Sequence, residues 1–313
     1  MKILLPDSLP LVPALPEGVE AVHYDVAAPV PDEHLDAEAL VVWGNAPSDL
    51  RAVAGRMPRL RWVQTLAAGP DAVLGAGLPD DVVVTSGAGL HDRPVTEHAL
   101  ALVLALLRRL PAALAAQAEH RWADELGGLQ PLHPEGAVTT LLDARVLVWG
   151  FGNIGQNLAP LLRALGAQVR GVGRSAGERS GFPVVAEDRL EAELEQTDVL
   201  VMILPATEAT THALDAGRLA ALPRHALVVN VGRGTTVDEP ALVAALTEGR
   251  IAGAALDVTE VEPLPADSPL WDAPNLLLTP HAAGGRPVGA DELVGGNLEA
   301  LLAGRELRNV VAR

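Results

Sequence analysis

Residues 146–155 read Val-Leu-Val-Trp-Gly-Phe-Gly-Asn-Ile-Gly, so Gly150, Gly152 and Gly155 form a G-x-G-x-x-G pattern. The pattern alone has little specificity, but its context supplies a mechanism. An apolar, strand-like run precedes it. Ile154, Leu158, Leu161, Leu162 and Leu165 follow at the spacing of one helix face. Gly166 stops that helix, and residues 169–172 read as the next strand. In such a β-α-β unit the first glycine permits a tight turn and the second lets a pyrophosphate approach the backbone. The third lets helix and strand pack closely, and the pyrophosphate rests on the helix N-terminus. Gly150, Phe151, Gly152, Asn153, Ile154 and Gly155 are therefore expected to bind a dinucleotide.

The end of that second strand bears on which dinucleotide. An NAD site usually places Asp or Glu there, roughly 20 residues beyond the glycines, on the ribose 2′-hydroxyl. Here residues 172–175 read Val-Gly-Arg-Ser, with no acid. Gly173 leaves room, Arg174 offers a planar fork for a 2′-phosphate, and Ser175 offers a hydroxyl. Arg179 is near enough in sequence to help. NADP(H) is the expected cofactor, with NAD(H) as the second choice.

Other chemistries are excluded by counting. There is no cysteine, which removes disulfides, thiolate catalysis and Cys-ligated zinc. Lys2 is the only lysine, so there is no P-loop lysine, and Schiff-base chemistry has no suitable residue. Tyr24 is the only tyrosine, so no Tyr-x-x-x-Lys dyad exists. No histidine pair has metal-like spacing with a carboxylate, and no metal is expected. A formal net charge of −17 argues against nucleic acid or an anionic membrane as partner. The longest apolar stretch, residues 99–107, is too short to span a bilayer. The first residues lack the apolar run of a signal peptide, so a cytoplasmic protein is expected.

The elements that must position these groups follow from the pattern. The chain has 313 residues, 49% of them apolar and 20% charged, enough for two globular domains. Short apolar runs begin at residues 3, 40, 62, 82, 146, 169, 199, 226, 254 and 276, separated by helical patterns. Mostly apolar strands alternating with helices indicate an α/β fold with parallel sheets covered on both faces. Residues 96–110 are apolar almost all round and read as a buried helix, with Arg108 and Arg109 suited to its C-terminal end. Residues 118–135 turn polar and read as an excursion arm. The buried helix and the arm make a homodimer the expected assembly.

Seven ordered motifs carry a resemblance over nearly the whole chain. They are Ala-Gly-Pro-Asp at 68–71, Glu-His-Ala-Leu-Ala-Leu at 97–102, the glycine motif, Leu-Pro-Ala-Thr at 204–207, Asn-Val-Gly-Arg-Gly at 230–234, residues 257–265, and Thr-Pro-His-Ala-Ala-Gly at 279–284. Together they resemble the D-isomer-specific 2-hydroxyacid dehydrogenases, the group that includes glyoxylate/hydroxypyruvate reductases. The resemblance implies two doubly wound, Rossmann-like or flavodoxin-like domains, with the cofactor domain (96–285) inserted into a discontinuous substrate domain (1–95 plus 286–313). The crossings are expected at Pro94 and at residues 284–287. The resemblance also implies a catalytic Arg233, Glu262 and His281. Leu204, Pro205, Val231, Gly232, Asp257 and Gly284 join the cofactor candidates. Ala68 and Gly69 would hold the substrate carboxylate through backbone N–H groups, with substrate between the domains.

Each proposed catalytic residue also makes chemical sense where it stands. Arg233 follows a strand, and open α/β sheets place ligands at strand C-terminal ends. Its parallel donors match a 2-oxo acid, gripping the carboxylate and polarising the keto oxygen. His281 also follows a strand; hydride transfer to a ketone must be matched by a proton, and histidine titrates near the operating pH. Its rivals are weaker. His23, His34, His91, His120, His133, His212 and His225 read as surface or turn residues, and His98 as a satisfied core or interface histidine. Glu262 would orient the imidazole and raise its pKa, with Glu260 as the local competitor. Asp257, without the resemblance, would read as a loop cap.

Departures narrow the branch. The formate-oxidising relatives pair their histidine with glutamine, where Glu262 stands here. The phosphite-oxidising ones need a lysine in the substrate loop, and phosphoglycerate enzymes often carry a regulatory extension. The loop at 66–71 carries no cation for a phosphate. A small unphosphorylated 2-oxo or 2-hydroxy acid such as glyoxylate or hydroxypyruvate is the expected substrate. Arg93 and Arg286 are candidates for a second anionic group. The alternative is a nucleotide-sensing regulator, because transcriptional corepressors share the fold and even the catalytic residues.

Overall fold

The computed structural model describes residues 1–127, 132, 134 and 137–311. These residues divide into two compact units, Met1–His91 with Arg286–Arg313 and Asp92–Gly285. The first unit opens with β1 (Lys2–Pro6), β2 (Glu20–Tyr24), β3 (Ala39–Val42), α1 (Pro47–Arg56), β4 (Trp62–Thr65), α2 (Asp71–Leu74) and β5 (Val83–Thr85). Its strands pair in the order β2-β1-β3-β4-β5, all parallel. That is the flavodoxin-like order.

The second unit runs α3 (Asp92–Leu107), α4 (Leu110–Ala118), β6 (Arg145–Trp149), α5 (Asn153–Ala164), β7 (Gln168–Gly173), β8 (Gly177–Arg179) and β9 (Phe182–Ala186). It continues with α6 (Leu190–Leu194), β10 (Val199–Met202), α7 (Ala216–Ala221), β11 (Leu227–Asn230), α8 (Glu239–Thr247), β12 (Gly253–Leu256) and β13 (Leu276–Leu278). The sheet order is β13-β12-β11-β10-β6-β7-β9-β8. All pairs are parallel except β8 with β9. This is a doubly wound Rossmann order whose winding reverses between β6 and β10. The chain then returns to the first unit with α9 (Ala290–Leu302).

Period-2 geometry explains why the strands read as apolar runs without alternation. In β6, Val146 and Val148 enter one core, while Leu147 and Trp149 enter the core on the other face. In β1, Leu4 faces one layer, and Ile3 and Leu5 the other. With both faces covered, every position must be apolar.

All ten expected strands form. The three that the pattern misses are the less apolar ones. Strand β2 is an edge with mixed burial, β8 is the polar Gly-Glu-Arg, and β9 carries Pro183. The helix expected at residues 96–110 is interrupted. It starts at Asp92 and ends at Leu107, Arg109 takes φ 51°, and α4 departs at 67°. Among the described residues no single helix is long and apolar enough to cross a membrane, although this bent pair has the length and composition. On α5 the buried arc is Gly155, Leu158, Ala159 and Leu162; Leu161 and Leu165 lie at its margin and are exposed. His91 is a buried residue, not a surface one. Its Nε2 donates to the Leu66 carbonyl at 2.7 Å, and its ring stacks on Trp43 at 5.4 Å. The expected arm lies partly outside the described residues, as does His133.

Candidate active site

The last residues of five neighbouring strands lie in one row. Trp149 pairs with Met202, Met202 with Asn230, Asn230 with Leu256, and Leu256 with Leu278. At the usual strand spacing the row is roughly 20 Å long. Nearly all the candidates of the second unit follow directly from it. Gly150 follows β6, Leu204 and Pro205 follow β10, and Val231 to Arg233 follow β11. Asp257 and Glu262 follow β12, and His281 and Gly284 follow β13. Arg174 and Ser175 follow β7, next in the sheet, and both are exposed.

The glycine turn is built as its mechanism requires. Gly150 has φ +99°, and a Cβ there would lie 2.5 Å from the Ile203 carbonyl oxygen. Gly152 caps α5 and has nothing within 4 Å of a Cβ, which leaves the space that a pyrophosphate would fill. A Cβ on Gly155 would meet Val148 at 3.2 Å, which marks the close packing of helix on strand. The Phe151 side chain is buried against Gly171, so this residue offers only its backbone. Its carbonyl accepts from Arg179 Nη1 at 3.4 Å. Arg179 Nη2 also donates to the carbonyl and hydroxyl of Ser175, both at 3.0 Å, which ties the Arg174–Ser175 turn to the glycine loop.

Arg233 sits on extended backbone, and its Nη1 donates to the Gly232 carbonyl at 2.7 Å. Asn230 shapes this turn, accepting from Gly232 N at 3.0 Å and donating to the Arg233 carbonyl at 3.0 Å. The glycines flanking Arg233 serve neighbouring protein backbone. A Cβ on Gly232 would strike the Leu204 carbonyl oxygen at 2.6 Å, and one on Gly234 the Thr259 carbonyl carbon at 1.9 Å. The arginine turn is thereby pressed against the loop that carries Glu262.

His281 Nδ1 lies 2.6 Å from Glu262 Oε2, while Glu262 Oε1 accepts from Thr259 N at 3.0 Å. About half of the imidazole surface is exposed. Glu260 is engaged elsewhere: its carboxylate meets His212 Nε2 at 2.6 Å, and its N–H donates to Glu239 at 2.7 Å. Burial, with Glu260 nearby, pushes the Glu239 carboxyl above the usual range.

His281 has φ 50°, a left-handed conformation that a non-glycine residue keeps only when its surroundings impose it. Asp257 imposes it. Its carbonyl accepts His281 N–H at 2.8 Å, and its carboxylate accepts the N–H groups of Ala282 at 2.8 Å and Ala283 at 3.0 Å. Thr279 Oγ1 donates to the same carboxylate at 2.6 Å. Asp257 is only 1% exposed. Sequence reasoning passed over Asn230 and Thr279, which stand within quoted motifs, directly before Val231 and Pro280, and only their side-chain bonding sets them apart. His98, read as a satisfied core or interface histidine, is partly buried and bonded to Thr279.

In the first unit, Ala68 and Gly69 follow β4 on a surface loop. Among the described residues their N–H groups find no acceptor. Arg93 and Arg286 are exposed. Among the described residues, no group of three or more His, Asp or Glu has a metal-holding arrangement.

Comparison with known proteins agrees with this architecture. Residues 100–283 match the family model described as "D-isomer specific 2-hydroxyacid dehydrogenase, NAD binding domain". A glyoxylate reductase from Aeropyrum pernix is 34% identical over 287 residues, covering 86% of this chain and 83% of that protein. A D-isomer specific 2-hydroxyacid dehydrogenase family protein from Aeromonas salmonicida superposes with a TM-score of 0.83 at 30% identity, covering 99% of this chain and 98% of that one. An NADPH-dependent glyoxylate/hydroxypyruvate reductase from Sinorhizobium meliloti, solved with NADP and sulfate, superposes with a TM-score of 0.80 at 30% identity, covering 99% and 97%. Matches of this extent place the chain in the D-isomer specific 2-hydroxyacid dehydrogenase family, as an NAD(P)-dependent enzyme.

Proposed function

We propose that this chain reduces a small unphosphorylated 2-oxo acid, of the glyoxylate or hydroxypyruvate type, to the D-2-hydroxy acid, with NADPH preferred over NADH. The observation that carries this reading is the 2.6 Å bond between His281 Nδ1 and Glu262, on the strand-end row that also bears the glycine turn and Arg233. The relatives' names, glyoxylate reductase and NADPH-dependent glyoxylate/hydroxypyruvate reductase, support it.

A nicotinamide cofactor, when bound at the glycine turn, would supply the hydride that reduction of the carbonyl carbon needs. The chain supplies the rest. Arg233, one N–H of which is spent on Gly232, keeps the remainder of its fork for the substrate carboxylate and keto oxygen. Glu262 accepts from Nδ1, which holds the proton there and leaves Nε2 to protonate the keto oxygen. The imidazole then recovers its proton from solvent, so one hydride and one proton turn the oxo acid into the hydroxy acid. Ala68 and Gly69, whose N–H groups find no acceptor among the described residues, suit a carboxylate. Arg174 and Ser175 suit a 2′-phosphate, and the absence of an acid at that strand end supports NADPH. Exposed Leu110, Leu114 and Trp122 beside α3 suit contact with a second copy, and gel filtration at a dimer's mass checks that.

The test is NADPH oxidation with glyoxylate, hydroxypyruvate, pyruvate and phenylpyruvate. Turnover that disappears in His281→Ala is the expected result. Tight NADPH binding with no turnover across the panel replaces this reading with a nucleotide sensor. A kcat/KM for NADH equal to or above that for NADPH overturns the cofactor preference.

A further inference from the structure

His98 lies on α3, far along the chain from the catalytic candidates. Its Nε2 is 3.0 Å from Thr279 Oγ1 and 3.2 Å from Asp257 Oδ1. The threonine has a single hydroxyl hydrogen, and it is given to Asp257 at 2.6 Å. Thr279 can therefore only accept from His98, so Nε2 carries a hydrogen directed at the threonine oxygen, with the carboxylate close by. The Asp257 carboxylate thus accepts from two backbone amides and a hydroxyl, and the imidazole that donates to that hydroxyl stands 3.2 Å from it. Through its carbonyl and carboxylate, the same residue takes the N–H groups of three consecutive residues, His281, Ala282 and Ala283.

We propose that His98 is a positioning residue: by donating to the Asp257–Thr279 pair, it locks the clamp that holds His281 in its left-handed pose against Glu262. The side chain is only partly exposed and makes these contacts from a helix otherwise filled by aliphatic packing. A merely packed core residue would not direct an N–H at a hydroxyl that is itself bonded to a buried carboxylate. The proposal rests on the proton-donor reading of His281 and explains what keeps that group in place.

The test uses His98→Leu, which fills the space without a donor, and His98→Gln, which restores an N–H. Three quantities are read for each: kcat and KM with glyoxylate and NADPH, the imidazole 15N resonances of His281 in the free enzyme, and the unfolding midpoint. Loss of a supporting hydrogen bond at such a site should lower kcat in His98→Leu by about 10–100-fold with KM within about 3-fold, and His98→Gln should recover most of it. The His281 resonances should shift in His98→Leu and return in His98→Gln. Unchanged kcat and unmoved resonances in His98→Leu overturn the proposal. So does a loss shared equally by both variants that follows their unfolding midpoints. If the wild type turns over none of the four acids, the functional reading fails, while the His281 resonances still decide the clamp on their own.

Discussion

His281 and Glu262 meet at 2.6 Å with both side chains well open to solvent, so the value of the pair lies in orientation more than in stability. Removing the imidazole in His281→Ala should lower kcat by about 10²–10⁴-fold, the usual share of a general acid. Glu262→Gln should cost less, because an amide oxygen still accepts from Nδ1 and keeps the ring oriented. Steady-state rates for the two variants, with unfolding midpoints to show intact folding, check this order. At this scale the sequence was only partly legible. The arginine, the glutamate and the histidine were named from motif order. Glu260 and Glu262 differ by two positions in one loop, and only the fold shows that His212 occupies Glu260. Nor could sequence show that the glycines beside Arg233 make way for neighbouring backbone, since close approach to a ligand demands the same residue.

The elements place these groups by letting loops from neighbouring strands interlock. Gly234 is the tightest such point, where a Cβ would fall within 2.0 Å of the Thr259 carbonyl group. Gly234→Ala should therefore push the arginine turn and the glutamate loop apart. It should cost at least about 1–3 kcal/mol as overpacking, read by chemical denaturation, together with a fall in kcat/KM. At the opposite end of the sheet, Asp198 ties β6 to β10. Burial raises its carboxyl pKa, but the Arg145 N–H, His225 and the Arg145 guanidinium outweigh that and hold it below the usual range. A depressed carboxyl stabilises the fold above its unfolded pKa, and that stability is lost as pH falls through the folded value. Asp198→Asn should thus be less stable than the parent near neutrality, with the gap closing in acid, as pH-dependent unfolding would show. Strands fully covered by helices announced themselves as apolar runs. Strands β2, β8 and β9 did not, because an edge or a proline-bearing strand need not be apolar throughout.

On the scale of the molecule, 40 acidic against 23 basic side chains leave a net charge of −17. Such a surplus repels itself in the compact state, and salt screens it over about 10 Å at 0.1 M. The unfolding midpoint should rise on going from low salt to about 0.5 M sodium chloride, where the screening length is shorter still; a midpoint that falls would show that attractive pairs dominate. The division into two parallel α/β units was legible from strand count and length. The second helix that leaves Arg109 was not, because the arginine pair marked only a helix end, while the apolar residues 110–116 beyond it gave no sign of a new direction.

The empty surround of Gly152 has a practical outcome. Its φ of −86° suits any residue, and nothing stands near a methyl group placed there. Exchanging this glycine for alanine should thus leave melting behaviour untouched while abolishing fluorescence quenching by added NADPH. The result would be a well-folded protein blind to its coenzyme, a ready blank for calorimetry or crystallisation, and a way to learn how the chain behaves when only the acid is offered.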